Sequence, residues 1–225
     1  VPVLAGVGGA DTQSVLQLAE NVERLGPDGL LSVTPYYNKP SPEGVYQHFR
    51  AIAENVTLPV IIYNVPNRTG CSINPETLFR LADIPNIIGV KEASGNLDQI
   101  CTICRDSPDE FCVLSGDDAF TLALLALGGN GVISVVSNEV PSEMTRLVSA
   151  ALDSVFVTAR NLHHRLLPLM RINFVESNPI PVKAALAEMG LIEERYRLPL
   201  VPPTQTSRKK IIEILKDLGL SGKAL

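Results

Sequence analysis

The sequence predicts an α/β fold built from repeated βα units, and specifically a (β/α)8 TIM barrel. Six short runs rich in Val, Ile and Leu alternate along the chain with longer stretches whose apolar residues recur at helical spacing. The short runs are apolar throughout, which is typical of parallel strands buried on both faces. No Gly-x-Gly-x-x-Gly fingerprint follows the first run, so the repeats favour a barrel over a dinucleotide-binding sheet.

The elements follow one another in a regular order. Several helices have recognisable starts, such as Pro75-Glu76 and Asp117-Asp118. The predicted strands are residues 3–7, 29–33, 60–63, 87–91, 112–115 and 131–135. The predicted helices between and after them are residues 12–24, 43–55, 75–83, 97–105, 117–127 and 141–153.

A complete barrel of this class has eight strands and about 250 residues. We therefore expect the six predicted strands to be strands 3–8, with the first two βα units missing upstream of Val1. Three more helical stretches, at 156–171, 179–189 and 206–219, predict a C-terminal helical extension. The predicted division is a partial barrel catalytic domain over 1–154 and a helical region over 155–225.

Composition narrows the class of partner. The 225 residues are 45% apolar with a net charge of −5, and the one dense basic cluster is Arg208-Lys209-Lys210. This balance argues against nucleic acid as a partner. No apolar stretch reaches the roughly 18 residues that span a bilayer, so we expect no membrane partner and a cytoplasmic location. The four cysteines are too sparse for a disulfide scaffold. The expected partner is a small molecule.

Lys91 is the most informative residue, because it ends the apolar run 87–90 where a buried strand opens into a loop. Apolar surroundings disfavour the charged ammonium, and a neutral amine is a nucleophile for carbonyl groups. The alternative is a lysine without a catalytic role, whose aliphatic stem lies along the strand end while its ammonium group reaches water.

Other reactive side chains follow the neighbouring strands, and active sites of barrels gather at these carboxyl ends. Tyr63 follows the run 60–62 and could shuttle protons, although it could also be a core tyrosine. Arg68 lies shortly after it and could bind a carboxylate bidentately, or merely pair with a surface carboxylate. A lysine, a tyrosine and an arginine at one end of a barrel indicate imine-forming aldol chemistry.

These residues stand in motifs that resemble the dihydrodipicolinate synthase family of pyruvate-dependent class I aldolases. The similarity runs from Val1 to about Leu220. It is carried by Thr34-Pro35-Tyr36-Tyr37-Asn38, Tyr63-Asn64-Val65-Pro66 with Arg68-Thr69-Gly70, Gly89-Val90-Lys91-Glu92-Ala93, Leu114-Ser115-Gly116-Asp117-Asp118, Gly128-Gly129-Asn130-Gly131-Val132-Ile133-Ser134 and Glu176-Ser177-Asn178-Pro179-Ile180-Pro181-Val182-Lys183.

The resemblance implies condensation of pyruvate with L-aspartate 4-semialdehyde, with no cofactor beyond a covalent pyruvate imine on Lys91. It implies a homodimer or homotetramer, because the relay tyrosine of this family reaches into the neighbouring subunit's site. By motif match Lys91 would form the imine, Tyr63 would donate and accept protons, and Tyr37 would be the relay tyrosine. The substrate-binding residues would be Arg68, the Ile133 backbone, Gly116 and Asn178.

Two departures from the family pattern matter. The family's Gly-Thr-Thr-Gly-Glu motif, which binds the pyruvate carboxylate, is absent, and we expect it upstream of Val1. Residues 1–225 alone are therefore expected to be inactive. Lysine-inhibited relatives place Asn and Glu at the positions of Ala10 and Ser14, and only Tyr36 of that local set is kept. This difference predicts weak feedback inhibition by lysine.

Several alternatives stay open at this point. Another pyruvate-dependent aldolase, acting on N-acetylneuraminate or on 2-keto-3-deoxy sugar acids, would share Lys91 and Tyr63. A non-catalytic paralogue would keep the pocket without turnover. Asp117 and Asp118 could suggest a divalent metal, but a helix start after Gly116 explains them better, and we expect no metal.

Overall fold

The computed structural model describes residues 1–222, and its centre is a six-stranded parallel sheet. The strands pair in sequence order, each with the next, which confirms the predicted parallel α/β class. They are β1 (Leu4–Val7), β2 (Gly29–Val33), β3 (Val60–Asn64), β4 (Ile87–Glu92), β5 (Cys112–Ser115) and β6 (Gly131–Val132).

The chain divides into two compact units, Val1–Asp117 with Ala126–Ile133, and Asp118–Leu125 with Ser134 onward. The first unit holds the sheet and α1 (Thr12–Glu23), α2 (Pro42–Asn55), α3 (Pro66–Thr69), α4 (Pro75–Ala82) and α5 (Leu97–Asp106). Four of these helices begin at a side-chain cap. Asp11, Ser41, Asn74 and Asn96 each accept a first-turn backbone N–H.

The core of the first unit lies mainly on one face of the sheet, the face that packs against the helices, whereas the apolar runs predicted burial on both faces. Leu30, Ile62 and Val90 on successive strands are fully buried, and so are Phe49 on α2 and Leu81 on α4. Each such side chain contributes about 1.5–3 kcal/mol by leaving water. The helices therefore hold the strands in place, which leaves the strand ends available for chemistry.

The strand predicted over 131–135 is present but shorter than predicted, because β6 ends at Val132. The backbone N–H groups of Val135 and Val136 donate to Asp118 Oδ2 at 2.9 and 3.0 Å, and a short 3-10 turn over Val136–Asn138 follows. These bonds turn the chain out of an extended course. The predicted helix 117–127 is likewise a 3-10 turn, Asp118–Phe120, followed by α6 (Thr121–Ala126).

The second unit contains α7 (Pro141–Leu152), α8 (Phe156–Ile172), α9 (Ile180–Glu188) and α10 (Gln205–Asp217). Helix α7 packs on α8, and α10 packs on both α8 and α9. The three helical stretches predicted after residue 155 therefore exist. No helix among residues 1–222 is both long enough and apolar enough to cross a membrane.

Buried carboxyl groups are a feature of the second unit. Glu139 is 4% exposed, and its Oε2 accepts from Asn173 Nδ2 at 2.6 Å. Burial raises the pKa of Glu139 to about 8, the Asn173 bond opposes this, and the nearby Asp118 adds to it. The raised pKa favours the protonated form of Glu139 at neutral pH.

Candidate active site

Lys91 and Tyr63 lie side by side at the carboxyl ends of β4 and β3. The two residues are register partners across the parallel ladder. The Lys91 Nζ atom is 4.1 Å from the centroid of the Tyr63 ring, and both side chains are half-buried. A phenol and an amine are thus held together where a small carbonyl compound could reach both.

The charge state of Tyr63 suits a proton donor. Burial raises its pKa above the usual value, and Asp117 acts in the same direction, while Arg68 opposes them. The phenol therefore stays protonated at neutral pH. A donor that holds its proton until a neighbouring oxygen or carbon becomes basic is what imine chemistry requires.

Gly116, which directly follows β5, makes room for the lysine stem. A Cβ atom at this position would lie 3.1 Å from both Cε and Cγ of Lys91, and 2.8 Å from Ala93 Cβ. The Gly116 N–H donates to the Glu92 carbonyl at 2.7 Å, which fixes the glycine beside the end of β4. A larger residue would displace Lys91.

Arg68 is presented by the short helix α3, which the sequence did not predict. The helix ends at Gly70, whose φ of 71° is left-handed and whose N–H donates to Pro66 O at 2.8 Å. The buried Thr69 hydroxyl anchors this segment, accepting from Thr34 Oγ1 at 3.2 Å and donating to Cys71 O at 2.9 Å. Arg68 itself is exposed.

An open cavity of about 410 Å³ lies beside Tyr63 and Arg68. Tyr63, Arg68, Thr69 and Tyr36 are among the residues that line it. The cavity therefore lies beside Tyr63, the residue that contacts Lys91, and Arg68 forms part of its wall. A ligand that carries both a carbonyl and a carboxylate group fits such a lining.

Tyr37 lies in the loop between β2 and α2 in an unusual conformation. Its φ is 74°, which is rare for a bulky residue and costs about 1–3 kcal/mol. Its N–H donates to Thr69 O at 3.3 Å, which ties it to the Arg68 segment. The side chain is 91% exposed in this chain. The loop thus holds a strained tyrosine outward beside the cavity wall.

The remaining predicted residues are distributed between the two units. Ile133 follows β6 in the first unit, and its N–H donates to Ser115 O at 2.9 Å. Gly116, Lys91, Tyr63 and Arg68 are also in the first unit. Asn178 lies in the second unit just before α9, and the Asn178–Pro179 peptide bond is cis.

Sequence reasoning missed a buried polar pair, Asn64 and Glu92, directly behind Tyr63 and Lys91. Asn64 Nδ2 donates to Glu92 Oε2 at 2.9 Å, and the two residues are 1% and 2% exposed. The sequence does contain a signal for this pair. Asn64 and Glu92 each directly follow a reactive residue on a strand, so their side chains point to the opposite face of the sheet.

Asp118, one of the two acidic residues considered as metal ligands, binds backbone N–H groups. Asp118 is 1% exposed and accepts the N–H groups of Val135 and Val136. Among residues 1–222, no group of three or more His, Cys, Asp or Glu side chains is arranged to hold a metal ion.

Comparison with known proteins gives one consistent result. Residues 1–218 match the model of the Dihydrodipicolinate synthetase family. A curated 4-hydroxy-tetrahydrodipicolinate synthase from Koribacter versatilis is 52% identical over 98% of this chain and 74% of its own length.

Solved structures agree with the sequence comparison. Dihydrodipicolinate synthase from Aquifex aeolicus superimposes with a TM-score of 0.96 at 43% identity, over 100% of this chain and 77% of that one. The chloride-inhibited Acinetobacter baumannii enzyme, complexed with pyruvate, gives 0.95 at 44% identity, over 98% and 76% of the two chains.

Proposed function

Because the chain belongs to the dihydrodipicolinate synthase family, we propose that it is a lyase that condenses pyruvate with L-aspartate 4-semialdehyde to 4-hydroxy-tetrahydrodipicolinate. This reaction lies in the biosynthesis of diaminopimelate and lysine. The observation that carries the proposal is the contact between Lys91 Nζ and the Tyr63 ring at 4.1 Å, at the adjoining ends of two parallel strands.

The first step forms a covalent imine. The neutral Lys91 amine attacks the keto carbon of pyruvate, and Tyr63 donates a proton to the carbonyl oxygen, which later leaves as water. The imine then withdraws electrons so that a methyl proton can be removed and an enamine forms. The imine is itself the electron sink, so no cofactor is required in this account.

Tyr63 and Tyr37 would share the proton transfers. The raised pKa of Tyr63 makes it a donor at neutral pH, and it can regain a proton from a second hydroxyl. Tyr37 fits that relay role through its family match and its outward side chain, 91% exposed. A second subunit would receive this tyrosine, so we infer at least a homodimer, with a homotetramer as the larger form.

Arg68 would bind the carboxylate of the semialdehyde. Its planar guanidinium can make two parallel charge-assisted bonds to a carboxylate, which fixes the orientation of the aldehyde. The enamine carbon then attacks the aldehyde carbon, and the aldehyde oxygen takes up a proton. The amino group of the condensed product then attacks the imine carbon, which closes the ring and releases Lys91 as a free amine. Ile133 would face pyruvate through its carbonyl, since its N–H donates to Ser115 O. The family match makes Asn178 a further candidate for substrate binding.

The fold assignment follows from the same family. The six strands would be six of the eight of a (β/α)8 barrel, which is supported by their parallel pairing in sequence order. Residues 155–222 would form a helical region after the barrel, which is supported by the packing of α10 on α8 and α9, and the last three residues of the predicted region lie outside the described residues.

The proposal is tested by trapping the imine. The full-length protein is incubated with pyruvate and borohydride, digested, and analysed by peptide mass spectrometry, with Lys91→Arg as the control. A reduced pyruvate adduct on Lys91 is expected, and none in the variant. An untouched Lys91 contradicts both this function and any other pyruvate aldolase.

Turnover then separates the related activities. We expect aspartate semialdehyde to be consumed with pyruvate, and N-acetylneuraminate and 2-keto-3-deoxy sugar acids to be cleaved far more slowly. If the enzyme prefers a sugar acid, aspartate semialdehyde is not its second substrate. Adduct formation without any turnover would identify a binding paralogue.

A further inference from the structure

We propose that Asn64 and Glu92 form a buried clamp that positions Lys91 and Tyr63 for imine formation and ties the Arg68 segment to the end of β3. The clamp is defined as the Asn64 and Glu92 side chains and the hydrogen bond between them. This inference rests on the proposed function, because it concerns the geometry of that same site. It assigns to both residues a positioning role without contact to substrate.

Both polar groups of the Asn64 side chain have a hydrogen-bond partner, an acceptor for its NH2 group and a donor for its oxygen. Its Nδ2 donates to Glu92 Oε2 at 2.9 Å, and its Oδ1 accepts from the Ile73 N–H at 3.1 Å. Ile73 lies in the loop that follows α3, so this bond ties the segment carrying Arg68 to the end of β3. The amide can satisfy both partners in one orientation only.

Glu92 connects the end of β4 to the next helix. Its Oε1 accepts from the Ser94 N–H at 2.6 Å, and its Oε2 accepts from Gln99 Nε2 on α5 at 3.3 Å as well as from Asn64. Three N–H donors therefore surround a carboxylate that is 2% exposed. A buried carboxylate held in this way has little freedom to move.

The clamp fixes the reactive pair through strand geometry. Asn64 and Glu92 are register partners one position after the partners Tyr63 and Lys91. Successive side chains of a strand point to opposite faces, so the clamp lies behind the sheet while the reactive groups lie in front. Backbone bonds from Ala93 N to Asn64 O and from Gly116 N to Glu92 O continue the connection to β5.

The donor and acceptor pattern provides a sharp test. In Asn64→Asp two carboxylates would face each other across 2.9 Å without a donor. In Glu92→Gln the new amide must turn its oxygen to Ser94 N–H, so two NH2 groups would face each other. The double variant Asn64→Asp/Glu92→Gln exchanges the roles of donor and acceptor. It restores the central bond and keeps the Ile73 and Ser94 partners.

The measurements are the rate of borohydride trapping of pyruvate on Lys91, kcat, KM for pyruvate and the melting temperature, all in the full-length protein. We expect each single variant to lose roughly 100-fold in kcat and in trapping rate, since small misplacements of reacting groups have effects of this size. The double variant should recover to within about tenfold of the wild type.

Asn86→Asp is the matched control. Asn86 is a half-buried asparagine whose side chain donates to Ala53 O at 2.9 Å, just before the opposite end of β4. This change should lower the melting temperature while leaving kcat and the trapping rate unchanged. Gln99→Leu is a milder change that removes one donor to Glu92, and it should slow trapping more than Asn86→Asp does.

Three results would overturn the clamp. The first is single variants that melt earlier yet trap pyruvate at the wild-type rate. The second is a double variant whose kcat and trapping rate are no higher than those of the single variants. This result would overturn the clamp even if one single variant does not fold. The third is Gln99→Leu behaving like Asn86→Asp. If the wild type itself gives no adduct on Lys91, the proposed function fails instead.

Discussion

Replacing Gly116 by alanine tests how tightly the site holds the nucleophile. The added Cβ would lie 3.1 Å from Cε and Cγ of Lys91. Ordinary carbon–carbon contacts are about 3.5–4.0 Å, so the lysine stem would have to move by about 0.4–0.9 Å. The 2.8 Å approach to Ala93 Cβ blocks the opposite adjustment of the new methyl group.

Two magnitudes follow from this overlap. Overpacking of this kind typically costs about 1–3 kcal/mol of unfolding free energy. A displacement of about half an ångström at a reacting atom should reduce kcat roughly tenfold, given that 1 Å costs about 100-fold. The loss should be in imine formation, because the methyl group contacts the lysine stem.

The assay is borohydride trapping and steady-state turnover of Gly116→Ala beside Gly44→Ala. A Cβ on Gly44, in α2, would meet Pro40 Cβ at 3.2 Å and no group of the site, so this control should keep its kcat. A Gly116→Ala variant that traps pyruvate and turns over like the wild type would show that the position of Lys91 does not depend on the space beside Gly116.

Three further outcomes are expected. Arg68→Lys should raise KM for aspartate semialdehyde roughly tenfold, since one charge-assisted bond of about 1.5–3 kcal/mol is lost, while pyruvate trapping stays unchanged; equal KM values would contradict the assignment. Glu139→Gln should raise the free energy of urea unfolding by roughly 3 kcal/mol at pH 7 and by much less at pH 5. The reason is that folding raises the pKa of Glu139 from 4.5 to about 8. The stability that comes from its bound proton is complete below pH 4.5 and is lost as pH rises toward 8. An equal gain in unfolding free energy at both pH values would contradict the raised pKa. Lysine should inhibit turnover weakly, because Ala10 and Ser14 replace the family's amide and carboxylate, and inhibition at micromolar lysine would contradict this.

The parts that depend on local pattern were predictable from sequence. Apolar runs located five strands to within one residue at each end, and Lys91 and Tyr63 stood out because reactive side chains at strand ends gather at one edge. The length of strand β6 was overestimated, because Asp118 accepts hydrogen bonds from the backbone N–H groups of Val135 and Val136. These two bonds join residues that are 17 and 18 positions apart in the sequence. Helix α3 was missed because four residues give no periodicity.

Two features could not be predicted from sequence patterns: the clamp and the backbone conformation of Tyr37. The Asn64–Glu92 bond exists only once β3 and β4 pair in one register, which a single sequence does not reveal. The positive φ of Tyr37 depends on the Thr69 carbonyl that holds its N–H. The roles of Ile133 and Asn178 came from family resemblance, and both remain predictions.

The central claim is that Lys91 forms an imine with pyruvate beside Tyr63. The most direct measurement is the peptide mass spectrum of the full-length protein after pyruvate and borohydride. One reduced pyruvate is expected on the peptide containing Lys91, with slower labelling in Tyr63→Phe. Labelling on another lysine, or none at all, would contradict the claim.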